Sequence, residues 1–141
     1  MKPEFWNGIA LLKRLYDQYL EPVAARHGIT RIELDILLFL ANNPGFDTAA
    51  DIVRRRRLTK SHVSGAVHSL AVHGYLERSF DAGNRKSVHL RCRETAGGII
   101  RDGQTAQRKF VNQIFLGFTR EEKRETVRLF EKVVRNLQME D

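Results

Sequence analysis

The chain has 141 residues, 42% of them hydrophobic, with 24 Lys plus Arg against 17 Asp plus Glu and a formal net charge of +7. That length suits one domain and that apolar share one core, which excludes a disordered chain. No run approaches the roughly 20 apolar residues of a membrane span, Met1 to Trp6 lacks the apolar core of a secretory signal, and the lone Cys92 excludes an internal disulfide or a cysteine-rich zinc site, so the expectation is a soluble, cytoplasmic, basic domain without a membrane partner.

Pro3 and Glu4 suit the first turn of a helix. Phe5, Ile9, Leu12, Tyr16, Tyr19 and Val23 then recur at alternating steps of four and three, one helical face that Gly28 ends. Pro22 is a candidate kink. Thr30-Arg31-Ile32-Glu33 has the pattern of a capping box and opens a second helix. Ile36, Leu37 and Leu40 share its inner face, with Leu34 and Leu38 beside them, and Asn43-Pro44-Gly45 stops it. Thr48 to Asp51 caps a short third helix with Ile52 and Val53 inward. Thr59 caps a fourth, whose apolar stripe is Val63, Ala66, Val67 and Leu70 and whose end is Gly74.

Tyr75 to Phe80 reads as a strand and Asp81-Ala82-Gly83-Asn84 as a turn. Ser87 to Arg93 alternates, with Val88, Leu90 and Cys92 on one face and His89, Arg91 and Arg93 on the other. A long helix follows, carrying Ile99, Ile100, Gly103, Ala106, Phe110, Val111, Ile114 and Phe118 on one stripe. Thr119-Arg120-Glu121-Glu122 is a further capping box, and the last helix presents Val127, Phe130, Val133, Val134 and Leu137.

This order predicts a mostly α fold with a small β-hairpin wing. Residues of about 30–93 form a winged helix-turn-helix, and both termini, about 3–28 and 95–138, form a helical region. The terminal segments carry more apolar stripe than so small a winged core can cover. A helix must bury such a face somewhere, and a two-fold homodimer is the simplest way. The whole of 1–141 is therefore read as one domain with a dimerisation region.

Charge points to a partner. Residues 1–50 carry a net −1, residues 51–100 a net +6 and residues 101–141 a net +2, and four of the five histidines fall in the middle block. A basic block between near-neutral ends is the electrostatic footprint of a polyanion binder. A different class stays open here: a winged-helix module docking an acidic protein partner.

The run Asp51-Ile52-Val53-Arg54-Arg55-Arg56-Arg57-Leu58-Thr59-Lys60-Ser61-His62-Val63-Ser64, followed by Leu70, Gly74-Tyr75-Leu76-Glu77-Arg78, Asp81-Ala82-Gly83-Asn84-Arg85-Lys86-Ser87-Val88 and Leu90, resembles MarR-type transcriptional regulators. The likeness is clearest over residues 48–97 and extends weakly over about 5–138. It implies a ligand-responsive repressor that binds double-stranded DNA as a homodimer. The fourth helix would lie in the major groove, the wing would reach the minor groove, and the first, fifth and sixth helices would intertwine with a second copy. The chain departs from the family pattern in three places. Arg56-Arg57 stands where the turn often holds glycine, Asn84 and Lys86 replace an acid and an arginine in the wing, and Cys92-Arg93 replaces Leu-Thr.

The residues fit that chemistry. Thr59, Lys60, Ser61, His62, Ser64 and His68 form the polar face of the fourth helix, short or cationic side chains suited to base edges and phosphates. Gly65 permits close approach. Asn84, Arg85 and Lys86 at the wing suit a narrow, negative minor groove. Arg54, Arg55, Arg56 and Arg57 are candidate phosphate contacts, although a 100° step per residue cannot aim all four one way and at least one is expected to lie along the protein surface or to pair with an acid such as Asp51. Asp81 is expected to orient a wing arginine. The resemblance also implies a small aromatic or anionic effector between the dimer helices and the winged region, with Tyr16, Tyr19, His27 and Arg31 as candidate pocket residues.

No nucleotide-binding loop, nucleophile elbow or zinc-protease pattern is present, so no catalytic residue and no cofactor is assigned. His62, His68 and His73 are six and five residues apart and share no helical face, so no metal is assigned either. Cys92 reads as a small buried hydrophobe.

Overall fold

The computed structural model describes residues 1–81 and 83–138, and of Asn84, Arg85 and Lys86 only the backbone. Six helices and one hairpin follow in order: α1 (Pro3–Arg26), α2 (Arg31–Asn42), α3 (Ala49–Arg56), α4 (Lys60–Val72), β1 (Leu76–Asp81), β2 (Asn84–Cys92), a 3-10 turn (Glu94–Ala96), α5 (Gly97–Ile114) and α6 (Arg120–Gln138). The predicted starts are chemical. Thr30 Oγ1 accepts from the Glu33 N–H at 3.1 Å while Glu33 Oε1 accepts from the Thr30 N–H at 2.9 Å. The same reciprocal pair forms at Thr48/Asp51 and at Thr119/Glu122. Glu33 is buried, and this bond keeps its carboxylate satisfied. Pro22 lies inside α1, which continues to Arg26.

The core is built around α2. Leu34, Ile36, Leu37 and Leu38 are all but sealed from solvent. Leu20 and Val23 of α1, Ile52 of α3, and Val63, Val67 and Leu70 of α4 close over them. Leu76 and Leu90 of the hairpin and Ile99 and Ala106 of α5 complete the cluster. A helix apolar on most of its circumference belongs at the centre of a layered helical domain.

The hairpin departs from its expected limits. Asp81 pairs directly with Asn84, and Gly83 takes φ +76, so β2 begins at Asn84 rather than Ser87. Ala82 of the expected turn lies outside the described residues. Strand pairing runs from Leu76↔Cys92 to Phe80↔Val88, with an irregularity at Phe80/Asp81. The segment before α3 adds a short third edge: Asp47 accepts from the Leu90 N–H at 2.7 Å, and Thr48 bridges His89. The expected long helical stripe to Phe118 is also cut short. Gly117 adopts φ +79 and Phe118 donates back to Phe115, so α5 ends at Ile114 and Phe118 sits in the turn before α6.

Burial along the terminal helices is graded. On α1, Val23 is buried, Tyr16 and Tyr19 are half-buried, and Phe5, Ile9 and Leu12 are exposed. On α5, Ile99, Gly103 and Ala106 are buried, while Phe110, Val111 and Ile114 are only half covered. None of the residues of α6 is buried. No helix among the described residues is long and apolar enough to cross a membrane.

Candidate nucleic-acid interface

The Thr59 side chain caps α4 by accepting from the His62 N–H at 3.2 Å, and Ser61 Oγ stands 3.4 Å from its hydroxyl. Val63, Val67 and Leu70 anchor α4 to the core. That anchoring turns Lys60, Ser61, His62, Ser64, Gly65 and His68 outward, all exposed together with Thr59. Open space surrounds the position that a Cβ on Gly65 would occupy. The polar face read from the sequence is thus one continuous solvent-facing strip without an acid.

The four arginines diverge as helical geometry requires. The Arg55 guanidinium lies 3.7 Å from the Phe46 ring centroid, a cation–π contact. Arg54 faces the groove between α4 and the hairpin. Arg56 is exposed. Arg57 donates from Nη2 to the Leu137 carbonyl at the end of α6 over 2.9 Å. Asp51, the acid expected to hold one of them, turns instead to Thr48, whose hydroxyl it engages at 2.8 Å. Arg57 also carries the left-handed backbone, φ 53 and ψ 35, a conformation that glycine adopts without penalty.

At the wing, the backbone places Asn84, Arg85 and Lys86 at the start of β2; their side chains lie outside the described residues. Asp81, expected to orient a wing arginine, has His89 beside it, with Oδ1 3.0 Å from Nε2. The same ring faces Asp47 through Nδ1 at 3.1 Å. The two carboxylates, Asp81 foremost, hold the His89 pKa above the ordinary histidine value. His89 therefore ties the hairpin to the segment entering α3.

Between α3, α4 and the hairpin runs a groove of about 530 Å³. Arg54, Lys60 and Arg78 line it with Thr48, Ser64 and Ser87, over a floor that includes Val53, Val63 and Val67, and Phe80 forms one wall. Sequence reasoning does not single out Arg78 and Phe80. A signal is present, since they sit two apart on a predicted strand and so share a face, but only the fold brings that face opposite α4.

The four candidate effector residues are spread along the seam of α1 with α2 and α5, each with a partner from the chain itself, and only Arg31 and Tyr16 touch one another. Tyr16 packs edge-on against Phe110 at 5.1 Å and accepts from Gln107 at 3.0 Å. The Tyr19 hydroxyl donates to Gln113. His27 Nε2 meets Asp102 at 2.7 Å and depresses the pKa of that carboxyl. Arg31 reaches Asp17 at 2.9 Å, Asp35 at 3.0 Å and Glu21 at 3.2 Å, and stands over the Tyr16 ring. Burial works against the Arg31 charge, and Asp35 and Asp17 more than offset it, so its pKa rises. Cys92 is half-buried, and burial raises its thiol pKa.

Residues 27–87 match the model of the MarR family. No curated protein matches the sequence. Among solved structures, a MarR-family regulator from Listeria monocytogenes, crystallised with a 26mer DNA, superposes with a TM-score of 0.83 at 15% identity over 98% of this chain and 91% of that one. A MarR from Staphylococcus aureus in complex with salicylate and kanamycin gives 0.78 at 17% identity over 98% and 93%. A MarR regulator from Methanosarcina mazei Go1 gives 0.76 at 19% identity over 96% and 91%.

Proposed function

We propose, from the match of residues 27–87 to the model of the MarR family, that the chain is a DNA-binding transcriptional regulator of that family, not an enzyme, acting in the cytoplasm as a ligand-responsive repressor. It binds a pseudo-palindromic operator as a homodimer. The observation that carries this reading is the outward strip of α4, free of acids among its described side chains and flanked by the exposed arginines of α3. Thr59, Lys60, Ser61, His62, Ser64 and His68 meet the major groove; Asn84, Arg85 and Lys86 meet the minor groove; two of the four arginines Arg54 to Arg57 supply phosphate contacts. The Listeria relative crystallised on DNA supports the same use of the fold here.

Residues of about 30–93 are the reading head, and about 3–28 and 95–138 the dimerisation helices. Phe5, Trp6, Ile9 and Leu12 of α1 and Val127, Phe130, Val133 and Leu137 of α6 are each at least 40% exposed. So many large apolar side chains left to water along two helices support a second copy covering them. The junction holding Tyr16, Tyr19, His27 and Arg31 takes an aromatic or anionic effector, a reading supported by the salicylate complex of the Staphylococcus relative. Such a ligand acts by favouring one separation of the two heads over another.

A two-fold reader expects its half-sites about one helical turn, roughly 34–36 Å, apart. Genomic fragments retained by the protein yield the operator, and duplexes with its half-sites moved by five base pairs test the spacing. Affinity should fall to the nonspecific level; unchanged affinity would contradict a two-headed reader.

A further inference from the structure

The far end of α6 comes back to the helix-turn-helix. Arg57, which closes α3, donates from Nη2 to the Leu137 carbonyl over 2.9 Å, and Leu137 is the last residue but one of α6. The final carbonyls of a helix lack donors within the helix and form its negative end, so a guanidinium suits them. No residue of α6 is buried, so this is a contact of charge rather than of packing. Arg54, Arg55, Arg56 and Arg57 are all exposed. Asp51 bonds Thr48 at 2.8 Å, and no other acid occurs in the sequence between it and Glu77. The sequence runs on from α6 through Met139 to Glu140 and Asp141. Segment 139–141 lies outside the described residues.

We propose, resting on the DNA-binding reading, that Glu140 and Asp141 are a tethered counter-anion for the α3–α4 turn, which holds Arg56 and Arg57 until DNA phosphate displaces it. Leu137 fixes where this segment starts, against Arg57 itself. Three or four residues span at most about 10–14 Å, so neither acid can leave the neighbourhood of the arginines. That reach is close to the Debye length, about 10 Å at 0.1 M salt. The pairing is intramolecular, so even a weak anion competes at high effective concentration. The anion comes from the same protomer, because it is that protomer's own α6 that ends on Arg57. Phosphate contacts carry no base information directly. The segment therefore lowers affinity for every duplex alike, and the base contacts of α4 decide where the remaining affinity is used.

The test compares the full-length protein with its Glu140→Gln/Asp141→Asn double variant, on mixed-sequence duplex DNA and on the selected genomic fragment, across a salt series and after matched circular dichroism melts. An exposed ion pair is worth at most about a factor of five. With two acids neutralised, both DNAs should be bound about threefold to tenfold more tightly at low salt, and the gain should shrink as salt rises. In an Arg56→Gln/Arg57→Gln background the same neutralisation should bring no gain. A gain that persisted there at full size would mean that the acids repel DNA directly, and docking on the turn would be overturned. If wild type binds with a steep salt dependence and neutralising the acids leaves affinity unchanged, the counter-anion falls while the DNA-binding reading stands. If wild type shows no salt-dependent binding, both fall.

Discussion

The imidazole Nδ1 of His89 lies 3.1 Å from Oδ1 of Asp47, so a β2 side chain holds the loop that enters α3. Asp81, at the end of β1, meets the other ring nitrogen at 3.0 Å. On the same side of the hairpin Glu77 pairs with Arg91, and Arg93 adds a cation close enough to act on Glu77. The His89 pKa is raised by Asp81 and then Asp47. A raised histidine stabilises the folded form fully below its unfolded value of about 6.5, and that contribution is lost as pH rises through the folded value. The clasp should therefore hold the wing at mildly acid pH and loosen towards the alkaline side. An NMR titration of the His89 ring should give a midpoint above 6.5, and the protection factor of the Leu90 amide, which is free of the intrinsic base-catalysed rise in exchange, should fall across the same window. His89→Gln should remove that pH dependence of the protection factor; a midpoint at or below 6.5 would dismiss the clasp.

Gly103 fixes how closely α5 approaches α2. A Cβ there would meet Leu38 Cδ2 at 2.8 Å and Cδ1 at 3.0 Å. Leu38 is 2% exposed and has nowhere to move. Gly103→Ala gains about 1 kcal/mol of helix propensity and incurs about 1–3 kcal/mol of overpacking. The net expectation is a loss of up to about 2 kcal/mol in urea unfolding. Leu38→Ala opens the space that the new methyl needs, so the double variant should be less destabilised than the sum of the singles. Additive losses would show that the two residues do not press on one another.

Much of this is legible from local chemistry. The caps at Thr30, Thr48, Thr59 and Thr119 depend on a side chain and an amide three residues on, and they form as written in the sequence. The alternation of β2 likewise sends Leu90 into the core and leaves Arg91 outside. What local pattern does not reveal depends on contacts distant in sequence. Asp51 is adjacent both to Thr48 and to the arginine run, and only the folded geometry shows that its carboxylate bonds the threonine. Nothing near Asp81 in sequence marks His89 as its neighbour. The groove bearing Arg78 and Phe80 exists only once α4 is docked across the hairpin. The outer limit of α5 is hidden too, because the helical stripe continues in register to Phe118 whereas Gly117 turns the backbone first.

Arg57 holds a left-handed backbone at φ 53 in the turn between α3 and α4. For an L-residue that conformation is disfavoured by about 1–2 kcal/mol, and glycine is free of the penalty. Arg57 also donates to the Leu137 carbonyl, so a single substitution mixes two effects. Comparing two variants separates them, because Arg57→Ala and Arg57→Gly both remove the side chain and only the second relieves the backbone. Arg57→Gly should be about 1 kcal/mol more stable than Arg57→Ala by thermal melting. Equal stabilities would mean the turn relaxes out of the left-handed region.

Phe130 lies on α6, is 56% exposed and shares its stripe with Val127, Val133 and Leu137. Since no residue of α6 is buried within the protomer, a charge at position 130 should scarcely disturb the winged domain. Surface changes away from packed features usually fall within about 0.5 kcal/mol. The same charge placed in a buried dimer seam would be desolvated without a partner, at a cost of several kcal/mol. Phe130→Glu should therefore convert the protein from dimer to monomer in sedimentation equilibrium while the helical circular dichroism of α2 to α4 persists. Coupling of folding to association predicts a second signature: the wild-type melting temperature should rise with protein concentration, and that of the variant should not. Operator affinity should collapse in step, because one head alone reads one half-site. A Phe130→Glu protein that remains dimeric would remove α6 from the interface and leave its apolar stripe to another partner.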